Sequence, residues 1–250
     1  MRFSIFQDSR QGDRKGNEDR VGYSYSRDVL LMTLADGMGG HADGEVAAEI
    51  AITEITRRFQ QEARNKLRKP SEFLVSAIQS AHRAIVSHAV ANNMLECPRT
   101  TIVACIVQNG SAFWAHIGDS RVYLLRRGKV FKRTRDHSHV EFLMREGVIT
   151  PDQAQSHPMR NFVECCLGGE PFLPEMTVGL REPLEANDIL LVCSDGLWGG
   201  VEDGDIGGSF PPARAPLRDE LQRLAERSVK VVGAGADNTS AAVVRWIGNA

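Results

Sequence analysis

The chain of 250 residues, 42% of them hydrophobic, is long enough to bury one sizeable core and too short for two comfortable domains, so we expect a single domain over residues 1–250. A formal net charge of −2 provides no overall field that would attract nucleic acid or an anionic membrane surface, and we expect neither as a partner. No run reaches the ~18 apolar residues of a membrane span, and the N-terminal apolar stretch is too short for a signal peptide, which predicts a soluble, cytoplasmic protein.

The first half of the chain has the pattern of one buried strand followed by two helices. The run VLLMTLA at residues 29–35 is continuously apolar and ends in a glycine-rich turn, which predicts a strand buried on both faces. From Gly44 to about Lys66, apolar residues recur at helical spacing with charges between them. Ser71 is a candidate N-cap for a second amphipathic helix that runs towards Val90.

Strand signals dominate the rest of the chain. The segment TIVACIVQNGSAFWAHIGDSRVYLLRRGKVFKRT, which starts at Thr101, holds three or four β-rich runs and predicts an antiparallel meander. Residues 139–175 carry a short amphipathic helix around Phe142 to Arg145 and no long period, which indicates an excursion from the main sheet. Strand signals return in MTVGL, DILLVCSD and TSAAVVRWI, with a helix over 213–231. Because the strands are grouped, the sequence predicts an α+β fold of antiparallel sheets with helices packed outside them.

Carboxylates stand beside turns in four separate motifs, which are GNEDR (Glu18, Asp19), ADGMGG (Asp36), CSDGLW (Asp195) and GADNTS (Asp237). Taken singly, each is an ordinary turn residue, because Asp-Gly and Asp-Asn are common turn formers. If they met in one pocket, their repulsion would have to be offset by cations. Oxygen ligands without a cysteine or histidine set favour Mg²⁺ or Mn²⁺.

Other polar motifs leave alternatives open. Arg14 is either an exposed loop arginine or, beside a metal cluster, a planar clamp for the oxygens of a substrate phosphate. The motif GDSR at 118–121 could be only a hairpin turn. The two histidines of DHSH at 136–139 could ligate zinc from a strand, but no second histidine cluster supports this, so a structural or hydrogen-bonding role is favoured.

Two covalent catalytic chemistries fit the sequence poorly. A cysteine-dependent tyrosine phosphatase needs an arginine six residues after its nucleophile, and none of the five cysteines has one. An aspartyl-phosphate enzyme needs D-x-D after a buried strand. Asp203 and Asp205 have that spacing, but WGGVEDGDIGG is typical of a turn or a short helix.

The chain resembles, over nearly its whole length, the PP2C-type (PPM) family of metal-dependent serine/threonine protein phosphatases in its compact bacterial form. The resemblance lies in six motifs in the family's order, namely RKGNED (14–19), DGMGGH (36–41), GDSR (118–121), DHS (136–138), CSDGLW (193–198) and DNTS (237–240). It implies a central antiparallel β-sandwich flanked by helices in α-β-β-α layers, with a two-metal site in a cleft at one edge of the sheets. Residues 139–175 fall where the family has its mobile flap.

The resemblance also implies how the aspartates would share two Mn²⁺ or Mg²⁺ ions. Asp36 would bridge the two ions, and Gly37 would offer its carbonyl to one of them. Asp195 and Asp237 would hold the other ion.

The remaining motif residues would complete this site. Glu18 and Asp19 resemble the acidic pair that binds metal-bound waters, and Arg14 resembles the clamp for the substrate phosphate. Asp119 matches an aspartate that, together with Asp195, makes a weaker third metal site in bacterial relatives.

The activity implied is direct hydrolysis of phosphoserine and phosphothreonine by a water that bridges the two ions, without a phosphoenzyme. Met38 stands where many eukaryotic members carry histidine as the candidate general acid, and bacterial members commonly have methionine there with a histidine after the glycines, here His41. The leaving group could therefore take its proton from His41 or from a metal-bound water.

Two other functions are compatible with the same residues. A catalytically silent relative would bind phosphoproteins without turning them over, although it would have no need of the complete aspartate set. A small-molecule phosphoesterase could use the same scaffold. For the phosphatase we expect phosphoproteins made by a bacterial Ser/Thr kinase as substrates, and a monomer.

Overall fold

The computed structural model describes residues 1–39, 42–211 and 216–248. The first part of the chain forms β1 (Arg2–Arg10), β2 (Asp19–Tyr25), β3 (Val29–Met38), α1 (Ala42–Glu62) and α2 (Pro70–Ala91). The middle part forms β4 (Arg99–Thr100), β5 (Ile102–Gln108), β6 (Ser111–Ile117), β7 (Arg121–Arg126), β8 (Lys129–Arg133), α3 (His139–Arg145) and α4 (Pro151–Gln155). The last part forms β9 (Leu167–Gly168), β10 (Thr177–Val178), β11 (Glu182–Pro183), β12 (Ile189–Cys193), α5 (Asp195–Trp198), α6 (Asp203–Gly208), α7 (Leu217–Val232) and β13 (Thr239–Gly248).

Two antiparallel sheets form the centre of the protein. The first sheet has the strand order β1-β13-β12-β7-β8. In the second sheet β3 lies between β2 and β5, and β6 pairs with β5. Short strands extend this sheet, because β10 and β11 pair with β6, and β4 joins the end of β3 to β9.

Three apolar clusters bind these sheets and the helices into four layers. The alternation along β3 shows the arrangement, since Leu30, Met32 and Leu34 face the other sheet. Leu31 and Val29 face the opposite way, into a cluster shared with α1 and α2. A third cluster packs α5, α6 and α7 against the outer face of the first sheet. The predicted α+β fold, a β-sandwich between helical layers, is confirmed.

The prediction of one meander from Thr101 onwards was wrong. Strands β5 and β6 form a hairpin in the second sheet, whereas β7 and β8 form a hairpin in the first sheet. The chain crosses between the sheets at Gly118, which has φ +102° and whose Cα lies so near Thr101 that an added Cβ would be 2.7 Å from its Cγ2. Glycine is needed there for both reasons, and the crossing places Asp119 between the two sheets.

Element boundaries differ from the predictions in several places. The first helix ends at Glu62 rather than near Lys66, and the second begins at Pro70, so that Ser71 lies inside its first turn. The predicted helix over 213–231 is observed as α7 from Leu217, and Ala213 itself lies outside the described residues. Among the described helices, none has both the length and the apolar composition needed to cross a membrane.

The predicted excursion contains two short helices, α3 and α4. Ser138, just before the excursion, forms an isolated antiparallel bridge with Val163. The chain returns to the sheets at β9, which pairs with β4 within the predicted 139–175 range. The histidines of the DHSH motif have structural contacts in this region. His137 contacts the Thr177 hydroxyl at 2.8 Å, and His139 contacts the carboxylate of Glu164 at 3.1 Å.

His116, on β6, is a buried neutral histidine that packs beside the start of this excursion. Its Nε2 donates to the carbonyl of Arg135 at 2.7 Å, and its ring stacks on His137 with centroids 4.7 Å apart. Its Nδ1 has no hydrogen-bond partner among the described residues. Burial lowers the pKa of His116 to about 4, and the backbone contact with Arg135 opposes only part of that effect.

We expect His116 to make the protein less stable in acid. The folded state takes up this proton near pH 4 and the unfolded chain near pH 6.5, so the contribution is complete above pH 6.5 and is lost as the pH falls towards 4. Urea denaturation should show a loss of about 2–3 kcal/mol in unfolding free energy from this residue between about pH 7 and pH 4. His116→Gln keeps a donor for the Arg135 carbonyl without titrating, and equal pH slopes in both proteins would contradict the assignment.

Candidate metal centre

Four of the predicted acidic residues meet at one edge of the two sheets. The pairing of β2 with β3 places Asp19 directly opposite Asp36. In the other sheet, β12 ends beside the start of β13, with Cys193 paired to Ala241. Asp195 follows the end of β12 and Asp237 precedes the start of β13, so the antiparallel pairing brings these two residues to the same edge.

The electrostatics of these carboxyl groups confirm that they are crowded. Burial raises the pKa of Asp19 to about 7 and that of Asp195 to about 6. The pKa of Asp36 is raised well above its ordinary value, by burial first and then by the negative charges of Asp19 and Asp195. The carboxyl groups of Asp36 and Asp195 also lie within hydrogen-bonding range of each other. A shared proton or a bound cation relieves such crowding.

Asp119 belongs to the same cluster, although it comes from the crossing between the sheets. Its side chain is buried, and burial followed by the charge of Asp195 raises its pKa well above the ordinary range. Arg121 acts in the opposite direction and Asp136 in the same direction as Asp195. The motif GDSR is therefore more than a surface turn, because its aspartate is buried beside the other carboxylates.

Arg14 lies at the open side of the cluster and is already paired. Its Nε and Nη2 atoms contact both carboxylate oxygens of Asp237, at 2.8 and 2.6 Å. The side chains of Arg14 and Asp237 are 55% and 34% exposed, so water reaches this pair. The planar fork that was predicted to bind a phosphate thus binds a carboxylate of the site in this structure.

The predicted site residues Gly37 and Glu18 lie next to each other, near the start of α1. Gly37 donates its N–H to the Glu18 carbonyl at 3.3 Å, and an added Cβ on Gly37 would lie 2.4 Å from the carbonyl oxygen of Gly44. The Glu18 carboxylate points to the start of α1, since an added Cβ on Gly44 would lie 2.1 Å from its Oε2. His41, one of the two candidate proton donors, lies outside the described residues.

Hydroxyl groups hold Asp36 by its backbone. The Asp36 N–H donates to Thr101 Oγ1 at 3.0 Å, and its carbonyl accepts from Thr100 Oγ1 at 2.8 Å. Thr101 Oγ1 also contacts Ser120 Oγ at 2.7 Å, beside Asp119. The sequence analysis missed these residues, because threonines at the start of an apolar run have no distinctive pattern.

Ser194 and Asn238 hold the other acidic segments in place. Ser194 Oγ donates to Asp19 Oδ2 at 2.8 Å, which joins the two sheets across the site. Asn238 accepts from the Glu18 N–H and donates to the carbonyls of Gln11 and Gly16, at 2.7 to 2.8 Å. Both residues lie next to a motif aspartate, and that adjacency is the signal that could have identified them.

The chain can now be compared with known proteins. The sequence profile of the family described as Protein phosphatase 2C matches residues 7–238. The chain belongs to this family. It is 36% identical over 231 residues to the serine/threonine protein phosphatase PstP of Mycobacterium tuberculosis, a match that covers 92% of this chain and 42% of PstP. This protein phosphatase 2C chain therefore spans less than half the length of that curated relative.

Two solved structures share the fold of this protein phosphatase 2C chain. The serine/threonine phosphatase of S. agalactiae has a TM-score of 0.88 at 28% identity, covering 99% of this chain and 100% of that one. The catalytic domain of PstP in complex with two manganese ions has a TM-score of 0.82 at 30% identity, covering 98% and 99% of the two chains.

The donor set of this protein phosphatase 2C chain fits a hard divalent cation. All the clustered donors are oxygens, and Asp19 Oδ1 is a buried atom with no hydrogen-bond partner among the described residues. Among the described residues, the structure has no group of three or more Asp, Glu, His or Cys side chains whose present positions could hold a metal ion. Asp237 faces Arg14, and Asp195 and Asp36 lie close enough to affect each other's pKa.

We expect Asn238→Ala to loosen the loop that carries Arg14 and Glu18. The change removes three hydrogen bonds and leaves the carbonyls of Gln11 and Gly16 without their donor, so it should lower the unfolding free energy by about 2–4 kcal/mol. Chemical denaturation measures this loss. Asn92→Ala removes a single exposed contact to the His88 carbonyl and serves as the control. Equal stability of the two variants would contradict the role of Asn238.

Proposed function

We propose that the chain is a metal-dependent phosphatase that hydrolyses phosphoserine and phosphothreonine in proteins. The observation that carries this proposal is the convergence of Asp19, Asp36, Asp195 and Asp237 at one edge of the sandwich, in a chain of the protein phosphatase 2C family. The printed names of its relatives, which are serine/threonine phosphatases, support the substrate class.

In this proposal Asp36, the Gly37 carbonyl, Asp195 and Asp237 would hold two Mn²⁺ or Mg²⁺ ions, with Asp36 contributing to both. Glu18 and Asp19 would hold waters of these ions, and Asp119 together with Asp195 would hold a weaker third ion. When bound, the ions activate a water for direct attack on phosphorus and offset negative charge on the phosphoryl oxygens. Crowding of the carboxylates supports this assignment, because cations remove the repulsion that raises their pKa values.

The chain's own residues orient the substrate. Arg14 is exposed, lies beside Asp237 and presents two parallel N–H donors, which is the geometry that binds a phosphate. In the proposed role, the Arg14 guanidinium would bind the substrate phosphate in place of the Asp237 carboxylate that it contacts in this structure.

The partners are part of the same proposal. Substrates would be phosphoproteins made by a Ser/Thr kinase in the same cell, and the phosphatase would act as a cytoplasmic monomer. A sugar-phosphate esterase and a silent binding protein are the competing functions. The intact aspartate set favours turnover over binding alone.

The experiment is a paired hydrolysis assay on metal-free protein with p-nitrophenyl phosphate, a phosphothreonine peptide and a sugar phosphate. We expect no activity without added metal, activity with Mn²⁺ or Mg²⁺, and loss of activity with chelator. The phosphopeptide should be the better substrate by kcat/KM. Turnover without metal would overturn the proposal, and preference for the sugar phosphate would establish the esterase.

Two carboxylate variants provide the site control for that assay. Asp195→Asn should lower kcat by two orders of magnitude or more, because it removes a proposed ligand of the ions. Asp205→Asn alters a carboxylate of α6 that pairs with Arg227 of α7, and it should be as active as wild type. Loss of activity in Asp205→Asn or in Asp203→Asn with full activity in Asp195→Asn would instead support the aspartyl-phosphate chemistry.

Arg14→Ala should mainly raise KM for phosphorylated substrates, on the order of tenfold, because a charge-assisted bidentate contact is lost. Steady-state kinetics at saturating Mn²⁺ separate KM from kcat. Lys15→Ala, in the same exposed loop, is the matched control and should leave both constants unchanged. An unchanged KM in Arg14→Ala would show that Arg14 is only a surface partner of Asp237.

A further inference from the structure

A buried salt bridge between Arg121 and Asp136 lies two residues after Asp119, at the start of β7. Arg121 donates from Nε and Nη2 to the two carboxylate oxygens of Asp136, at 2.8 and 2.6 Å. Its Nη1 donates to the Tyr123 hydroxyl at 2.9 Å. The side chains of Arg121 and Asp136 are only 11% and 5% exposed, so the pair is held in one geometry and is little screened by solvent.

Trp198 connects this salt bridge to the acidic cluster. The guanidinium carbon of Arg121 lies 3.6 Å from the centre of the indole ring, and the indole Nε1 donates to the Asp119 carbonyl at 3.0 Å. Trp198 is also the last residue of α5, the single helical turn that starts at Asp195. One side chain therefore touches the segment of Asp119 and belongs to the same turn as Asp195.

Asp119 needs such a support because neither sheet holds it. Strand β6 ends at Ile117 and β7 begins at Arg121, so the residues between them have no ladder partner. Ser120 is tied on one side to Thr101, and Trp198 holds the other side. Because Asp119 lies on an irregular crossing, the position of its carboxylate depends on the contacts that fix the backbone there.

We propose that Trp198, supported by the Arg121–Asp136 pair, positions Asp119 opposite Asp195 and thereby determines the affinity of the cation site that these two aspartates share. The inference rests on the proposed function, because that function supplies the cation. None of the three residues contacts the substrate or the ion in this account, and they are positioning residues.

The chain contains a matched control at the far end of the same strand. Arg126, the last residue of β7, donates from Nε and Nη2 to both carboxylate oxygens of Asp188, at 2.9 and 2.7 Å. Its guanidinium carbon lies 4.4 Å from the centre of the Phe131 ring. This second unit has the same chemistry as the first, but it lies at the strand end opposite Arg121 and contacts none of the proposed metal ligands among the described residues.

The test is titration of the metal-free protein with MnCl₂ by isothermal calorimetry, together with the Mn²⁺ dependence of p-nitrophenyl phosphate hydrolysis. Trp198→Phe keeps a ring beside Arg121 but removes the donor to the Asp119 carbonyl. Asp136→Asn leaves the charge of Arg121 uncompensated beside Asp119, where it repels a cation. We expect Trp198→Phe to weaken the weakest class of Mn²⁺ site by about fivefold or more, as the loss of one hydrogen bond implies. Asp136→Asn should weaken the same class of site through the charge of Arg121.

The controls are Trp246→Phe in the core and Asp188→Asn in the second salt bridge, and both should bind Mn²⁺ as wild type does. Melting temperatures of all four variants show whether each one folds, and Trp198→Phe, the mildest change, remains informative if Asp136→Asn does not. Wild-type Mn²⁺ isotherms in a folded Trp198→Phe would overturn the inference and leave the proposed function intact. Absence of both Mn²⁺ binding and hydrolysis in the wild-type protein would overturn the proposed function itself.

Discussion

Repulsion among buried carboxylates is the constraint on which the rest of the structure depends. Asp19, Asp36 and Asp195 are drawn to one edge of the sandwich, where burial and their mutual charge raise their pKa values. Bringing such groups together opposes folding, because each loses contact with water while negative charges come close to one another. An arrangement of this kind is stable only if the surrounding structure supplies the free energy and a cation or a proton removes part of the repulsion.

The surrounding structure supplies that free energy through three apolar clusters, which lie between the sheets and on either side of them. Hydrogen bonds then fix the positions of the acidic residues. Ser194 joins Asp19 to the opposite sheet, Thr101 holds the backbone of Asp36, and Trp198 holds that of Asp119. These contacts to Asp19, Asp36 and Asp119 come from uncharged side chains, which add no further repulsion at the edge.

Prediction from the sequence succeeded where one local pattern decides the structure. The continuous apolar run of β3 and the helical spacing in α1 and α2 identify those elements, because burial on two faces or on one stripe dictates the residue types. It failed for β1 and β2, whose half-buried edge positions alternate with polar residues and carry no strong signal. It also failed at Gly118, because nothing in the sequence states which sheet the next strand will join.

The sequence by itself determined the candidate chemistry of this protein, since the motif aspartates and their glycine neighbours predict oxygen ligands, and the absence of an arginine six residues after any cysteine excludes the mechanism of cysteine-dependent tyrosine phosphatases. Only the tertiary structure decided which of these groups meet, that Arg14 pairs with Asp237, and that Trp198 supports Asp119. The physical reason is that residue type sets what a side chain can bind. The distance between residues far apart in the chain depends instead on strand pairing and on the crossing between the sheets. Both are decided by the packing of the whole core.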